Sequence, residues 1–191
     1  MTNQKGFLAG IISKLEKADI PYMLSGSMGS SFYGHPRATN DADIVIDPVQ
    51  NSLTYFLNSL EPETYYASRE AALQALKNRS MFNVIHVKYG WKADLIIRKE
   101  REYSRKEFSR RKKLNIMNVD VYVLSAEDSV LSKLEWTKDR ESQVQINDVI
   151  GILTVQWDKL DFGYLRDWAD KLEVGDLFEQ LIQKIKEEKR S

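Results

Sequence analysis

The sequence Leu24-Ser25-Gly26-Ser27-Met28 and, a short interval later, Asp41-Ala42-Asp43-Ile44-Val45-Ile46 restrict this chain more than any other feature in it. A Gly-Ser turn leads into a helix, and an Asp-x-Asp pair then opens an apolar strand. Side chains at i and i+2 of a strand share a face, so Asp41 and Asp43 stand side by side, roughly 6–7 Å apart along the backbone. Two carboxylates facing one way repel each other unless a cation lies between them. Hard divalent ions take such oxygen ligands, and Mg²⁺ commonly combines one or two carboxylates with substrate phosphates. A Gly-Ser turn presents backbone N–H groups where phosphate oxygens bind well. An anion cradle beside metal-type carboxylates implies chemistry on a nucleotide.

Composition narrows the setting. The 191 residues suit one medium domain or a domain with an appended helical segment, and 42% hydrophobic content supplies a real core. Lys+Arg and Asp+Glu are equal at 28 each, so no global field argues for nucleic acid or membrane. The absence of cysteine excludes disulfides, thiolate nucleophiles and Cys-ligated metals. No apolar run is long enough to span a bilayer and no signal-peptide pattern opens the chain, so a cytoplasmic protein is expected.

The order of elements predicts an α/β (α+β) fold. Phe7, Leu8, Ile11, Ile12 and Leu15 predict a helix over 3–18, capped by Thr2 or Asn3. Residues 22–24 read as a strand, 27–33 as a helix closed by Gly34, and 48–60 as a helix with Pro48 at its first position. Another helix is expected over 69–78, then strands over 82–88 and 91–97 joined at Tyr89-Gly90. A charged helix follows, and 114–124 reads as a hairpin turning near Asn118. From Glu127 onward the pattern is helical: Val130, Leu131 and Leu134 mark one face, and Val144, Ile146, Val149, Ile150 and Leu153 a second helix. The expected division is an α/β domain over 1–125 and a C-terminal helical segment over 126–191 packed on it.

Asp94 lies in the otherwise apolar strand Trp91-Lys92-Ala93-Asp94-Leu95-Ile96-Ile97, where an unpaired carboxylate is costly. A metal shared with Asp41 and Asp43 would satisfy it, and a third carboxylate also serves to activate a nucleophile. Gly-Ser, a short helix, Asp-x-Asp and a later strand aspartate resemble the DNA polymerase β-type nucleotidyltransferase superfamily. Within it the chain is similar to the bacterial AbiEii/AbiGii-toxin-like nucleotidyltransferases. The stretches that carry this are Gly34-His35-Pro36-Arg37-Ala38-Thr39, Glu127-Asp128-Ser129-Val130-Leu131-Ser132-Lys133-Leu134 and Asn147-Asp148.

The resemblance implies a polymerase β-like nucleotidyltransferase fold, a mixed sheet flanked by helices with a C-terminal helical segment. It implies that Gly26 and Ser27 hold a triphosphate, that Asp41, Asp43 and Asp94 bind Mg²⁺ (or Mn²⁺), and that Lys133 contacts nucleotide phosphate, with Arg37 another candidate there. Asp148 matches the acidic residue of the last motif. The implied reaction moves a nucleoside monophosphate from an NTP to an acceptor hydroxyl. Toxin-like relatives modify RNA, notably tRNA, and pair with an antitoxin. Many relatives carry a second Gly where Ser27 stands.

Simpler readings accompany each residue. Lys133 also reads as an exposed helix lysine, Asp148 as the partner of a helix end, and Arg37 as the partner of the Asp pair. His86 reads as packed in its strand rather than as a ligand. The run 98–113 holds nine basic residues against three acidic ones, a local net charge of +6. It is either a solvated helix or a phosphate track in which Arg98, Arg105, Arg110 and Arg111 contact RNA. The alternative from another class is a catalytically silent NTP- or RNA-binding regulator of the same fold. An aminoglycoside-type resistance enzyme would call for an acidic acceptor pocket, against which the basic run speaks.

Overall fold

A computed structural model describes residues 4–35, 39, 41–116, 119–139 and 142–189. The chain divides into two compact units, one formed by residues 1–28 and 38–123 and the other by 29–37 and 124–191. The second unit therefore takes in the stretch between the Gly-Ser turn and the Asp pair as well as the helical C-terminal part.

The first unit is built on a seven-stranded mixed sheet. Its elements are α1 (Gln4–Lys17), β1 (Tyr22–Leu24), the start of α2 (Gly26–Ser30), β2 (Asp41–Ile46), α3 (Gln50–Asn58), β3 (Tyr65–Tyr66), α4 (Arg69–Asn78), β4 (Met81–His86), β5 (Lys92–Ile97), α5 (Glu102–Ser109), β6 (Lys112–Ile116) and β7 (Val119–Val123). The spatial order is β3-β4-β5-β2-β1-β7-β6. β2 pairs with β5 in parallel and β1 with β7 in parallel, while β1–β2, β3–β4, β4–β5 and β6–β7 are antiparallel.

Strict alternation decides which way the central strands face. Ala42, Ile44 and Ile46 of β2, Ala93, Leu95 and Ile97 of β5, and Phe82 and Val84 of β4 are buried on one face. α4 packs on β4 and β5, and α1 and α3 pack in the same helical layer. Each of the larger of these side chains contributes about 1.5–3 kcal/mol. The other face carries Asp41, which is exposed, Asp43, Asn83 and Lys92, which are half-buried, and Asp94, which is buried.

One helix start and one helix end depart from expectation. α3 begins at Gln50, because the Ser52 hydroxyl accepts from the Val49 N–H (3.2 Å) and donates to the Val49 carbonyl (2.9 Å), making Val49 the cap and leaving Pro48 outside the helix. α2 ends at Ser30 rather than at Tyr33, and residues 31–33 continue as turns with Phe32 and Tyr33 bonding three residues back. α4 matches its expected bounds, with the Ser68 hydroxyl accepting from Ala71 N–H at 3.2 Å. The expected turn near Asn118 lies outside the described residues, although β6 and β7 on either side pair as a hairpin.

The second unit comprises α6 (Ala126–Asp139), α7 (Gln143–Gln156), a 3-10 turn (Trp157–Lys159), α8 (Phe162–Lys171) and α9 (Gly175–Glu188). α7 is the second helix expected, but it does not bury every residue that marked it. Val149, Ile152 and Leu153 are buried, whereas Val144 is 51% exposed and Ile146 and Ile150 are half-buried. The inward positions of its first half are polar: Gln145 and Asp148 both bind Lys133 of α6. Gly34 is fitted to this helix, since a Cβ there would lie 3.0 Å from the Ile152 backbone nitrogen.

Tyr33 is buried in this second unit and its hydroxyl makes no hydrogen bond among the described residues. Burial, with the nearby charges of Glu127 and Asp128, pushes that hydroxyl up to about 12. The folded state therefore keeps Tyr33 protonated where the unfolded chain ionises near pH 10. Its stabilising contribution is complete below pH 10 and is lost as pH rises towards 12. Urea unfolding of Tyr33→Phe is expected to show a shallower loss of stability between pH 10 and 12 than the parent, by ~1 kcal/mol or more, with no loss at pH 7.

Candidate functional site

The site begins with strand register. In the parallel β2–β5 pair, Asp41 stands opposite Lys92 and Asp43 opposite Asp94. Lys92 and Asp94 are two residues apart on one strand, as are Asp41 and Asp43, so all four side chains share a face. Three carboxylates and one ammonium thus meet over two adjacent strands.

β1 adds the Gly-Ser turn. Leu24 pairs with Ile44, and beyond it the Ser25 N–H donates to the Asp43 carbonyl at 2.8 Å, with the Ser25 hydroxyl at 3.3 Å from the same oxygen. These bonds bring the turn onto the Asp43 side chain. Gly26 has φ +59°, and a Cβ there would fall 1.9 Å from Asp43 Oδ2 and 2.6 Å from its Cγ. Only glycine meets both conditions, the left-handed backbone and the missing side chain. Ser27 follows in α2.

Lys92 is the cation of the site. Its Nζ lies 3.2 Å from Asp94 Oδ2 and 3.6 Å from Asp41 Oδ2. Hydrogen bonding to Asp94, helped by the charges of Asp94 and Asp41, holds the Lys92 ammonium above its usual range against the opposing effect of partial burial. The second Asp94 oxygen, Oδ1, accepts from the Asn83 amide, its neighbour across the β4–β5 pair. Asp94 is buried while Asp41 is half-exposed. As they stand, no three His, Asp or Glu side chains among the described residues converge closely enough to hold a metal ion. The donor set nonetheless suits a hard cation: carboxylate oxygens on one open face, a backbone cradle that a Cβ would fill, and an ammonium already between two of the acids.

Sequence reasoning did not single out Lys92 or Asn83. Lys92 had one legible signal, its i−2 spacing from Asp94. Its approach to Asp41 and the approach of Asn83 to Asp94 depend on cross-strand register.

Lys133 and Asp148 belong to the second unit and pair there. Lys133 is buried, and its Nζ lies 2.7 Å from Asp148 Oδ2 and 3.1 Å from Gln145 Oε1. Nearby, the Ser125 hydroxyl donates to Asp128 Oδ2 (2.6 Å) and accepts from the Asp128 N–H (3.1 Å), while the Tyr164 hydroxyl donates to Asp128 Oδ1 (2.7 Å). Ser125 and Asp128 so close the first turn of α6. Arg37 lies outside the described residues.

The basic run is not one helix: it spans a loop, α5 and the start of β6. Arg98 is largely buried, its Nε 3.0 Å from Asp47 Oδ2 and its Nη2 3.6 Å from Glu100. Arg105 donates to the Glu100 carbonyl, and Arg110 caps the end of α5. The Arg111 guanidinium lies 4.4 Å from the Phe108 ring centroid and 5.1 Å from that of Tyr122, and bonds the Phe108 carbonyl at 2.6 Å. His86 is buried among the rings of Phe7, Tyr65, Tyr89 and Trp91, in keeping with a packing role. No helix among the described residues is long and apolar enough to cross a membrane.

No protein-family model matches the sequence, and neither does any curated protein sequence. Solved structures do resemble it. ANT(2")-Ia, in complex with adenylyl-2"-tobramycin, superposes with a TM-score of 0.63 at 10% identity, over 90% of this chain and 98% of its own. An antigenic nucleotidyltransferase-like protein from Paracoccidioides brasiliensis gives 0.56 at 18% identity, over 78% of this chain and 75% of its own. The lincomycin-bound lincosamide antibiotic adenylyltransferase LnuA gives 0.55 at 15% identity, over 81% and 98%. The likeness is one of fold: the chain has the α/β nucleotidyltransferase fold expected from its motifs.

Two outcomes follow from this geometry. Gly26→Ala is expected to cost ~1–3 kcal/mol, from a left-handed alanine and a displaced Asp43, in thermal or urea unfolding. Removing one partner of the buried Lys133–Asp148 pair, as in Lys133→Met or Asp148→Leu, should destabilise by about 3–5 kcal/mol, and the double variant by less than the sum, in a double-mutant cycle.

Proposed function

We propose that the protein is a nucleotidyltransferase of the polymerase β type, moving a nucleoside monophosphate from an NTP to an acceptor hydroxyl. What carries this reading is the set Asp41, Asp43 and Asp94 on one sheet face, with Gly26 shaped to admit the Asp43 carboxylate. In the reaction the acceptor oxygen attacks the α-phosphorus, a P–O bond forms there, and the bond to the β-phosphate oxygen breaks to release pyrophosphate. The acceptor proton passes to Asp94, whose orientation Asn83 fixes through its other oxygen. Asp41, Asp43 and Asp94 would hold Mg²⁺ or Mn²⁺, which supplies charge neutralisation for the phosphate oxygens and a more acidic acceptor hydroxyl. Gly26 and Ser27 contribute to the triphosphate cradle.

The finer reading, by resemblance, is a cytoplasmic bacterial enzyme of the AbiEii/AbiGii-toxin type with a tRNA acceptor and a cognate antitoxin. In that reading Lys133 and Arg37 meet nucleotide phosphate, Asp148 acts beside Lys133, and Arg105 and Arg110 meet RNA along with Arg98 and Arg111. A small-molecule acceptor is the second reading. Two observations favour it: the fold similarity to two antibiotic adenylyltransferases, and the internal partners of Arg98 and Arg111.

The test is transfer from each α-³²P-labelled NTP with Mg²⁺ into total RNA and, separately, into hydroxylated small molecules. Labelled product is expected with the parent chain, and Asp41→Asn and Asp43→Asn should reduce it to background while circular dichroism stays unchanged. Undiminished transfer in either variant would remove the carboxylate site from the reaction. NTP binding without transfer to any acceptor would identify the regulator instead.

A further inference from the structure

We propose that Lys92 is a tethered counter-cation of the carboxylate site: its ammonium holds the place between Asp41 and Asp94 that a divalent ion takes over, so that ion binding and Lys92 release are one event. The inference rests on the reading of Asp41, Asp43 and Asp94 as a cation site.

Register leaves Lys92 little choice. It is opposite Asp41 across the parallel pair and two residues before Asp94 on the same face, and it contacts both, at 3.6 and 3.2 Å. A single positive charge thus bridges two acids on different strands, which is the topological role of a bridging ion. Its charge offsets repulsion among carboxylates that share the face.

The two Asp94 oxygens are not equivalent. Oδ1 is taken by the Asn83 amide, a neutral and fixed donor, while Oδ2 is taken by Lys92. Asn83 therefore holds the carboxylate in place when the ammonium leaves, and Oδ2 is the oxygen that changes partner. The lysine is suited to leaving. Its side chain is 33% exposed, and its flexible stem carries a compact, strongly hydrated charge that solvent can receive. An arginine at the same position would clamp both acids with a planar fork.

The test uses the full chain and reads cation binding rather than turnover. In ¹⁵N-detected lysine ammonium NMR, a Lys92 signal, assigned by its loss in Lys92→Gln, is expected to be shifted from the bulk lysines and to move to the bulk position on adding Mg²⁺. By electron paramagnetic resonance, Lys92→Gln should bind Mn²⁺ roughly 3- to 10-fold more tightly than the parent, the scale of the ion pairs that compete in the parent. Lys88→Gln is the control for charge alone. It removes a lysine from the neighbouring hairpin turn whose ammonium lies 5.4 Å from the Tyr89 ring centroid, and its affinity should stay within about twofold of the parent. Lys92→Arg, which keeps the charge and the strand, should bind Mn²⁺ more weakly than Lys92→Gln, and it decides the matter should Lys92→Gln fail to fold. A Lys92 signal unmoved by Mg²⁺, or equal affinities in the parent, Lys92→Gln and Lys92→Arg, would overturn the role of Lys92 and leave the cation site standing. If no variant binds Mn²⁺, the cation site itself fails, and the inference with it.

Discussion

The parallel pairing of β2 with β5 is the constraint on which the site depends. Its register sets Asp41 against Lys92 and Asp43 against Asp94. That register is held by the opposite face of the same strands, where Ala42, Ile44, Ile46, Ala93, Leu95 and Ile97 are buried. A slip of one residue in either strand would turn carboxylates into the core and aliphatic side chains into water. Burial of the larger of these side chains, at about 1.5–3 kcal/mol each, outweighs the repulsion among three half-shielded carboxylates at a few kcal/mol or less. Hydrophobic packing on one face thus fixes an unfavourable charge arrangement on the other.

The two units accommodate charge differently. On the sheet face Asp41 is open to water, Asp94 is buried, and the lysine that pairs with both has one-third of its side chain exposed. In the helical unit Lys133 is 6% exposed and Asp148 14%, and Gln145 supplies a further acceptor. An ion pair this deeply buried is costly to form and costlier to break on one side, so it fixes the pairing of α6 with α7 rather than adding much net stability. This accounts for the polar inner face at the start of α7, where Gln145 and Asp148 take positions that an aliphatic pattern would have filled.

Much of the fold was legible because it follows from local rules. The alternation of β2 and β5, the bounds of α4 and the Tyr89-Gly90 turn each rest on residues adjacent in the chain. The carboxylate trio was legible for the same reason: a charge in an apolar strand requires a partner, and Asp94 announces that requirement within seven residues. Lys92 and Asn83 were not, because their partners are chosen by cross-strand register rather than by sequence distance. The end of α2 was misread, and the polar inner positions of α7 were not foreseen, since Lys133 and Asp148 are brought together by the pairing of two helices rather than by sequence spacing.

The basic segment after β5 shows how a charge count along the chain differs from a charge field in space. Arg98 is absorbed by Asp47 and Glu100, Lys113 lies 3.6 Å from Asp120, and Arg111 is turned onto Phe108 and Tyr122. Arg105 spends a donor on the Glu100 carbonyl. The segment itself changes from loop to helix to strand. Part of the local excess of +6 thus works inside the molecule, joining the loop after β5 to Asp47 and the end of α5 to β7, while the rest stays exposed. An anionic acceptor would find in this segment the exposed side chains of Lys99, Arg101, Arg105, Lys106, Lys112 and Lys113.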